Sequence, residues 1–392
     1  MHPVFVFISF FFFAIASNML GPLATNIMEG TGLSLSQSGS LVSFMQIGSF
    51  SAILVSLFVM KRVRQITVTR MGYSLLVFAL LAISLSSGSF LLFALYVVIG
   101  FSAFLIDSGS NAVLASDYYE KRSLYIPLLH FCYSVGAIVT GFVILPFKGA
   151  LWRLAYGTVG TLVALVVIFA YIDRRYRDKG AKTQGGAKVV PSEVQAGPVL
   201  PMLQDKAFIM YTLVLMFYMG SQIICATWIP VYVETELMQS PAITATSLTV
   251  FWIGIALSRL IMGPIMSKGG DPFALSIAGM ILAGVSLLAM TLTPNIIIVL
   301  ALVSLCGFFA GATIPMFIVV TASWYPKNTA FISLSYILGG TIGKMIFPLL
   351  VTRIAEARNL GYALMISSLM LFVAAVLLIL IQRTTKGRRA LS

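Results

Sequence analysis

The sequence predicts an all-α membrane protein, with twelve transmembrane helices in two pseudo-symmetric six-helix halves. Three observations carry this. Hydrophobic residues make up 59% of the chain and charged residues only 9%, 37 of 392, against about a quarter in soluble domains. The apolar residues gather in twelve long runs, with Lys and Arg concentrated in alternate connections. The two halves also repeat one another at a near-constant offset. A mean hydropathy of +1.01 excludes disorder, a secreted disulfide scaffold and an ordinary cytosolic enzyme. At roughly 20 to 25 apolar residues per crossing, twelve helices use about 300 residues and leave short loops.

The expected spans of the first half are residues 4–28, 41–60, 71–87, 90–116, 124–147 and 151–172. Those of the second half are 208–233, 243–266, 273–292, 296–323, 329–351 and 362–381. The first apolar run has no cationic region ahead of it and no credible cleavage site, so it is expected to remain as a span. Residues 173–205 are polar, basic and rich in Gly and Pro, as in a flexible cytoplasmic linker. The expected organisation is therefore a half at 1–172, a linker at 173–205 and a half at 206–392. Cys132, Cys225 and Cys306 lie inside apolar runs and read as packing residues, not as a disulfide framework.

With both termini cytoplasmic, nineteen Lys and Arg fall in inner loops and four (Lys148, Arg153, Arg353 and Arg358) in outer ones. This is a positive-inside bias of a multi-pass cell-membrane protein, in a bacterium the inner membrane. The net charge of +13 is then mostly topological, with anionic lipid as its partner and no need of nucleic acid.

Gly100-Phe101 returns as Gly307-Phe308, Ala115-Ser116-Asp117-Tyr118 as Ala322-Ser323-Trp324-Tyr325, Ile47-Gly48 as Ile253-Gly254, and Gly136 as Gly343. An offset of about 207 that holds across three helix pairs marks an internal duplication. Two parallel six-helix halves joined by a basic loop resemble the major facilitator transporters, whose substrate site lies between the halves at mid-membrane. The loop signature of that superfamily, Gly-x3-Asp-Arg-x-Gly, is degenerate. It reads Ser56-x3-Met60-Lys61-Arg62 after span 2 and Gly263-x3-Ser267-Lys268-Gly269 after span 8, keeping the cation and losing the acid.

An ionisable group in hydrocarbon costs at least about 2.5–3.5 kcal/mol, so each deep one is a site candidate. Asp107 is the one acid buried in mid-span, about 12 Å above the inner end of span 4. Asn111 shares its helix face at i+4. His130 in span 5 and Arg259 in span 8 lie at a similar depth. Asp107 and His130 are expected to carry proton coupling, and Arg259 to gate or to form a charge pair. A neutral His130 donating to Asn111 or a carbonyl is the alternative. Lys344 in span 11 and Gln46 in span 2 lie at matching depth. Lys344 would attract an anionic substrate or titrate with a lowered pKa, unless its stem snorkels outward. The run Gly339-Gly340-Thr341-Ile342-Gly343-Lys344-Met345 is not a phosphate loop: its spacing is one short and no Ser or Thr follows the lysine. In span 7, Tyr218 and Gln222 share a face, and an amide beside aromatic rings suits a hydroxylated ring. Trp228 and Tyr232 serve either that site or an interfacial belt. Asn18 in span 1 and Trp252 in span 8 complete the expected substrate contacts.

These residues resemble the fucose–galactose–glucose symporter family of the major facilitator superfamily over nearly the whole chain. The resemblance rests on Asp107-x-Gly109-x-Asn111, on Leu129-His130-Phe131 leading to Gly136-Ala137, on Tyr218-x-Gly220-x-Gln222-x5-Trp228, and on Phe251-Trp252-x-Gly254 leading to Arg259. It implies transport of a sugar or polyol driven by a cation gradient, usually protons, with Asp107 as the coupling acid and Asn111 and Gln222 on the substrate. Three departures stand out: Gln222 where an acid is usual, Asn18 where some members have a carboxylate, and Lys344 without a counterpart. With fewer acids and an added cation, a sugar acid or another anion joins the expected substrates.

The expected function is secondary active transport of a small polar solute by alternating access, by proton symport in preference to sodium. A proton-coupled exporter of drugs or metabolites, with a cavity rich in the 28 Phe and 19 Met, is the alternative. The chain is expected to act as a monomer without a cofactor. An intramembrane enzyme is not expected: there are two His, and neither a His-Glu-x-x-His nor a Gly-x-Ser-x-Gly motif is present.

Overall fold

Apolar runs of this length cannot leave backbone groups unpaired in lipid, so helices are the elements available to them. The structure, a computed structural model, describes residues 3–59, 63–86, 88–118, 122–180, 200–325 and 329–385. Outside these lie residues 181–199 of the expected linker, Met60 with Lys61 and Arg62 of the loop signature, and Lys121, Lys182, Lys188, Lys327, Lys386, Arg388 and Arg389 among the cations expected in inner loops. The chain divides into two compact units at residue 193.

The first unit holds α1 (Pro3–Asn18), α2 (Leu20–Thr31), α3 (Leu35–Val59), α4 (Gln65–Leu85), α5 (Ser89–Asp117), α6 (Arg122–Ile144) and α7 (Trp152–Gly180), with two short 3₁₀ turns between α6 and α7. The second holds α8 (Leu200–Gln204), α9 (Lys206–Thr235), α10 (Pro241–Ser267), α11 (Pro272–Thr291), α12 (Ile296–Ala310), α13 (Thr313–Trp324), α14 (Thr329–Ala357) and α15 (Leu360–Thr385). Eleven helices among the described residues are long and apolar enough to cross a membrane. The pair α1 and α2, bent by 46°, makes a twelfth span. The twelve-helix expectation is met. Within the expected linker, α7 continues to Gly180 and a short helix, α8, forms at 200–204.

Two breaks have the same cause. Pro22 has no N–H to give the Asn18 carbonyl and its ring crowds that oxygen, so the helix turns aside at Met19. Pro315 stands in the same relation to Gly311, and the tenth span divides into α12 and α13 there. The first half has Ser108 at the matching position, and α5 runs unbroken through it.

Each unit packs internally by the same plan. In the first, α3 and α4 both pack on α5, α1 on α6, and α7 on α1 and α4; in the second, α10 and α11 pack on α12, α9 on α14, and α15 on α9 and α11. The repeated glycines explain why. A Cβ on Gly48 would lie 1.9 Å from the Val97 carbonyl oxygen, and one on Gly100 1.6 Å from that of Met45, so α3 and α5 cross backbone to backbone. Gly254 and Gly307 do the same for α10 and α12, at 2.1 Å from Ser304 O and 2.3 Å from Phe251 O. Gly136 meets Phe11 O of α1 at 2.3 Å, and Gly343 meets Met216 O of α9 at 2.0 Å. Lipid offers no hydrophobic drive for helix association, so close approach at small residues supplies the packing energy.

Helix ends are capped where they leave the bilayer. Asp205, Asp271 and Asn295 accept backbone N–H groups from the first turns of α9, α11 and α12 at 2.9–3.3 Å. The Asp205 carboxylate also accepts the Tyr325 hydroxyl, tying the start of α9 to the end of α13. Glu236, at the end of α9, accepts the N–H groups of Leu360 and, at 3.1 Å, Gly361, at the positive end of α15. Glu236→Ala is expected to destabilise the protein by about 0.5–2 kcal/mol, with Glu236→Gln losing less, as read from thermal unfolding in detergent. Equal melting of wild type and the alanine variant would contradict the capping role.

Candidate functional site

In the first unit the polar groups are spread over α1, α3, α4, α5 and α6. On α5, the Asn111 amide donates to the Asp107 backbone oxygen at 2.9 Å and to its carboxylate Oδ1 at 3.1 Å. The i, i+4 spacing makes that contact local, so helix geometry by itself supplies it. Both residues are half-buried. The buried Tyr73 hydroxyl of α4 faces the Ser9 and Ser110 hydroxyls and lies in the field of Asp107. Two glycines fix this stretch of α5: Gly72 admits Leu105 and Ile106, and Gly109 admits Thr69, all within 3.0 Å of a built Cβ. Asp107 therefore sits on a rigid crossing.

Asn18 occupies the last position of α1, at the break. Its amide donates to the Ala14 carbonyl at 2.8 Å and to the Tyr133 hydroxyl of α6 at 3.4 Å. His130, one turn before Tyr133, is exposed, with its ring edge-on to Phe10 at 6.1 Å. Gln46 on α3 is 2% exposed, and its Oε1 accepts no hydrogen bond among the described residues.

The second unit contains a narrow cleft bounded by Tyr218, Ser221, Gln222 and Cys225 of α9, Phe251 and Ile255 of α10, Cys306 and Ala310 of α12, and Leu371 of α15. The Tyr218 hydroxyl is buried and makes no hydrogen bond among the described residues. Ser221 and Ser367 share a hydrogen bond at 3.2 Å. Trp228, two turns beyond Ser221, is fully buried, and its Nε1 donates to nothing among the described residues. Trp252 is buried and edge-on to Phe251 at 6.1 Å.

Arg259 continues the α10 face of Phe251 and Ile255 at four-residue steps. Its Nε donates to the Gly311 carbonyl at 3.4 Å, the oxygen that Pro315 leaves without a helical donor. The guanidinium is half-buried and acts electrostatically on the Tyr218 hydroxyl. Lys344 is half-buried in mid-helix on α14, beside the stripe of Gly340, Gly343 and Phe347 that packs on α9.

The structure thus joins Asp107 with Asn111, and Gln222 with Tyr218. Tyr73, Tyr133, Ser221 and the two thiols are additions to the expected set. The i, i+3 spacing of His130 and Tyr133 was the available signal for one of them, and nothing local marked the others. Among the described residues, no group of three or more His, Cys, Asp or Glu could hold a metal ion.

The sequence profile of the Major Facilitator Superfamily matches residues 6–239 and again 210–391. Bypass of stop codon protein 6 of Saccharomyces cerevisiae (strain ATCC 204508 / S288c) is 21% identical over 293 residues, 67% of this chain and 58% of that protein. The chain thus spans little more than half the length of this curated relative. Among solved structures, a bacterial homolog to the human lysosomal transporter Spinster, inward-facing and unoccupied, superposes with a TM-score of 0.81 at 14% identity, over 97% of this chain and 96% of that one. A variant of the nucleoside transporter NupG gives 0.77 at 12% identity over 96% and 98% of the two chains. A variant of the peptide transporter POT gives 0.77 at 14% over 97% and 94%. Such identities establish a shared fold and leave the cargo open.

Proposed function

Because the chain belongs to the Major Facilitator Superfamily, we propose that it is a secondary active transporter that moves a small polar solute by alternating access, with proton symport through Asp107. The observation that carries this reading is the half-buried Asp107 carboxylate on α5, held by the Asn111 amide at 3.1 Å. A carboxyl group in a membrane span costs far less neutral than charged, so taking or losing a proton changes which conformation it favours. The Asn111 contact orients the carboxyl through Oδ1, an oxygen that can accept this bond whether the group is charged or neutral.

Substrate contacts are assigned to Asn18, Asn111 and Gln46 in the first half and to Gln222, Trp228, Trp252 and Lys344 in the second. His130, exposed one turn from Tyr133, is a second proton carrier. The cargo is a sugar, a sugar acid or a related compound, the chain lies in the cell membrane with both termini cytoplasmic, and it works as a monomer. Buried Tyr218 and Trp228, each with a polar atom lacking a partner among the described residues, support a ligand with polar edges and apolar faces.

The test is uptake of labelled sugars and sugar acids into proteoliposomes under an imposed gradient. Accumulation is expected when the outside is acid and not when sodium replaces the proton gradient. Accumulation driven by sodium alone, or equilibration without accumulation, would refute proton symport. Gln222→Ala is expected to raise KM by about tenfold, the cost of one lost ligand hydrogen bond, with unchanged dependence on the gradient. A fall in kcat at constant KM would place Gln222 outside the substrate site.

A further inference from the structure

We propose that Arg259 is a substrate-binding residue and that the cargo carries a carboxylate, which pairs with this guanidinium at the end of the α9–α10–α12 cleft. The proposal deepens the transport reading and rests on it.

The argument is one of charge and place within the second unit. Arg259 lies eight residues from the inner end of α10, about 12 Å along the helix. Among the described residues the Gly311 carbonyl accepts from its Nε and orients the guanidinium. Across residues 200–385 the acids are Asp205, Glu234, Glu236, Asp271 and Glu356. Every one caps a helix or lies in a helix's last turn, so none of them lies at the depth of Arg259. A cation held half-buried in a span without a carboxylate of its own unit at that depth is stabilised when an anion arrives.

The surroundings fit such a ligand. Phe251 and Ile255 place the cleft wall directly along the α10 face from Arg259, and Ala310 adjoins the carbonyl that holds it. The Tyr218 hydroxyl lies in the field of the guanidinium and is buried without a hydrogen bond among the described residues, ready to donate to the same anion. Gln222 supplies a neutral amide further along the cleft, and Phe251 and Leu371 an apolar wall. A small carboxylate with a hydroxylated or apolar body satisfies each of these groups; a neutral polyol leaves the guanidinium unanswered.

The experiment compares carboxylates with their alcohol twins on the purified full-length chain: gluconate with glucitol, lactate with propane-1,2-diol, and benzoate with benzyl alcohol. At least one carboxylate is expected to raise the unfolding temperature in detergent while its twin does not. Arg259→Gln is expected to weaken that carboxylate by about tenfold or more, and Arg259→Lys, which keeps the charge and loses the fork, by less. The proposal is overturned if no carboxylate outperforms its twin, or if Arg259→Gln binds the carboxylate as wild type does. The wild-type comparison decides even if that variant does not fold. Acid-driven uptake of a neutral solute would overturn the carboxylate assignment and leave proton symport standing. Arg259-dependent carboxylate binding without gradient-driven uptake would support the assignment and refute the transport reading.

Discussion

Asp107→Asn is expected to abolish accumulation against a gradient in proteoliposomes while exchange of labelled for unlabelled substrate continues. The substitution keeps the shape of the side chain and an oxygen able to accept from Asn111, whose amide lies 3.1 Å from Oδ1. What it removes is the charge. An ionised carboxylate inside a span is disfavoured by about 2.5–3.5 kcal/mol on insertion scales, so the bias that protonation exerts between two conformations is on the order of a hundredfold. Without that bias the two access states interconvert regardless of pH, and the solute equilibrates. Asp107→Glu should keep part of the coupling, since it retains a titrating carboxyl about one methylene further out. Full accumulation by Asp107→Asn under an acid-outside gradient would exclude Asp107 as the coupling acid.

The second large effect is structural. Gly100→Ala is expected to prevent assembly of the first half or to lower its stability by about 3 kcal/mol, at the upper end of overpacking costs. The added Cβ would lie 1.6 Å from the Met45 carbonyl oxygen and 3.0 Å from its Cα. Those are backbone atoms of a neighbouring helix, which cannot rotate away as a side chain can. The helices must separate, and the Ser49 hydroxyl, which donates to the Gly100 carbonyl at 2.9 Å and to its own helix at Met45 O at 3.3 Å, loses the contact between helices as they do. Gly307→Ala should act in the same way in the second half and less severely, since its contact is 2.3 Å from Phe251 O. Gly88→Ala is the control, with nothing within 4 Å of the new atom. The readouts are the monodisperse fraction after purification and the midpoint of thermal unfolding. If Gly100→Ala and Gly88→Ala melted together, the close crossing would be wrong.

What was legible in advance depended on range along the chain. The Asp107–Asn111 pair is an i, i+4 contact, and helical geometry alone brings it together. Tyr218 and Gln222 fall on one face for the same reason. The Arg259–Gly311 contact spans 52 residues and depends on Pro315 freeing a carbonyl on another helix, so no local pattern announces it. The repeated glycines were visible as a recurrence, but their purpose became clear only once each was seen against the backbone of a partner helix. Trp228, readable also as a belt residue near a helix end, is fully buried. Pro22 was present in the sequence, yet a proline bends some helices and not others: α9 continues past Pro230, whereas the first span turns by 46°.

By itself the sequence determined the class of this protein. Few charges, long apolar runs and a duplicated pattern of glycines leave a two-half bundle of membrane helices as the available solution, because lipid forces backbone groups to pair within each helix. It also determined which charges lie deep, since depth follows from position within a run. The tertiary structure alone decided what those charges meet. It anchored Asp107 on a tight crossing of α4 and α5, opened a cleft among α9, α10, α12 and α15, and turned Arg259 to a carbonyl that a distant proline had released. The physical reason is that a membrane helix fixes its own hydrogen bonds locally, while the partners of its side chains are set by which helices pack together.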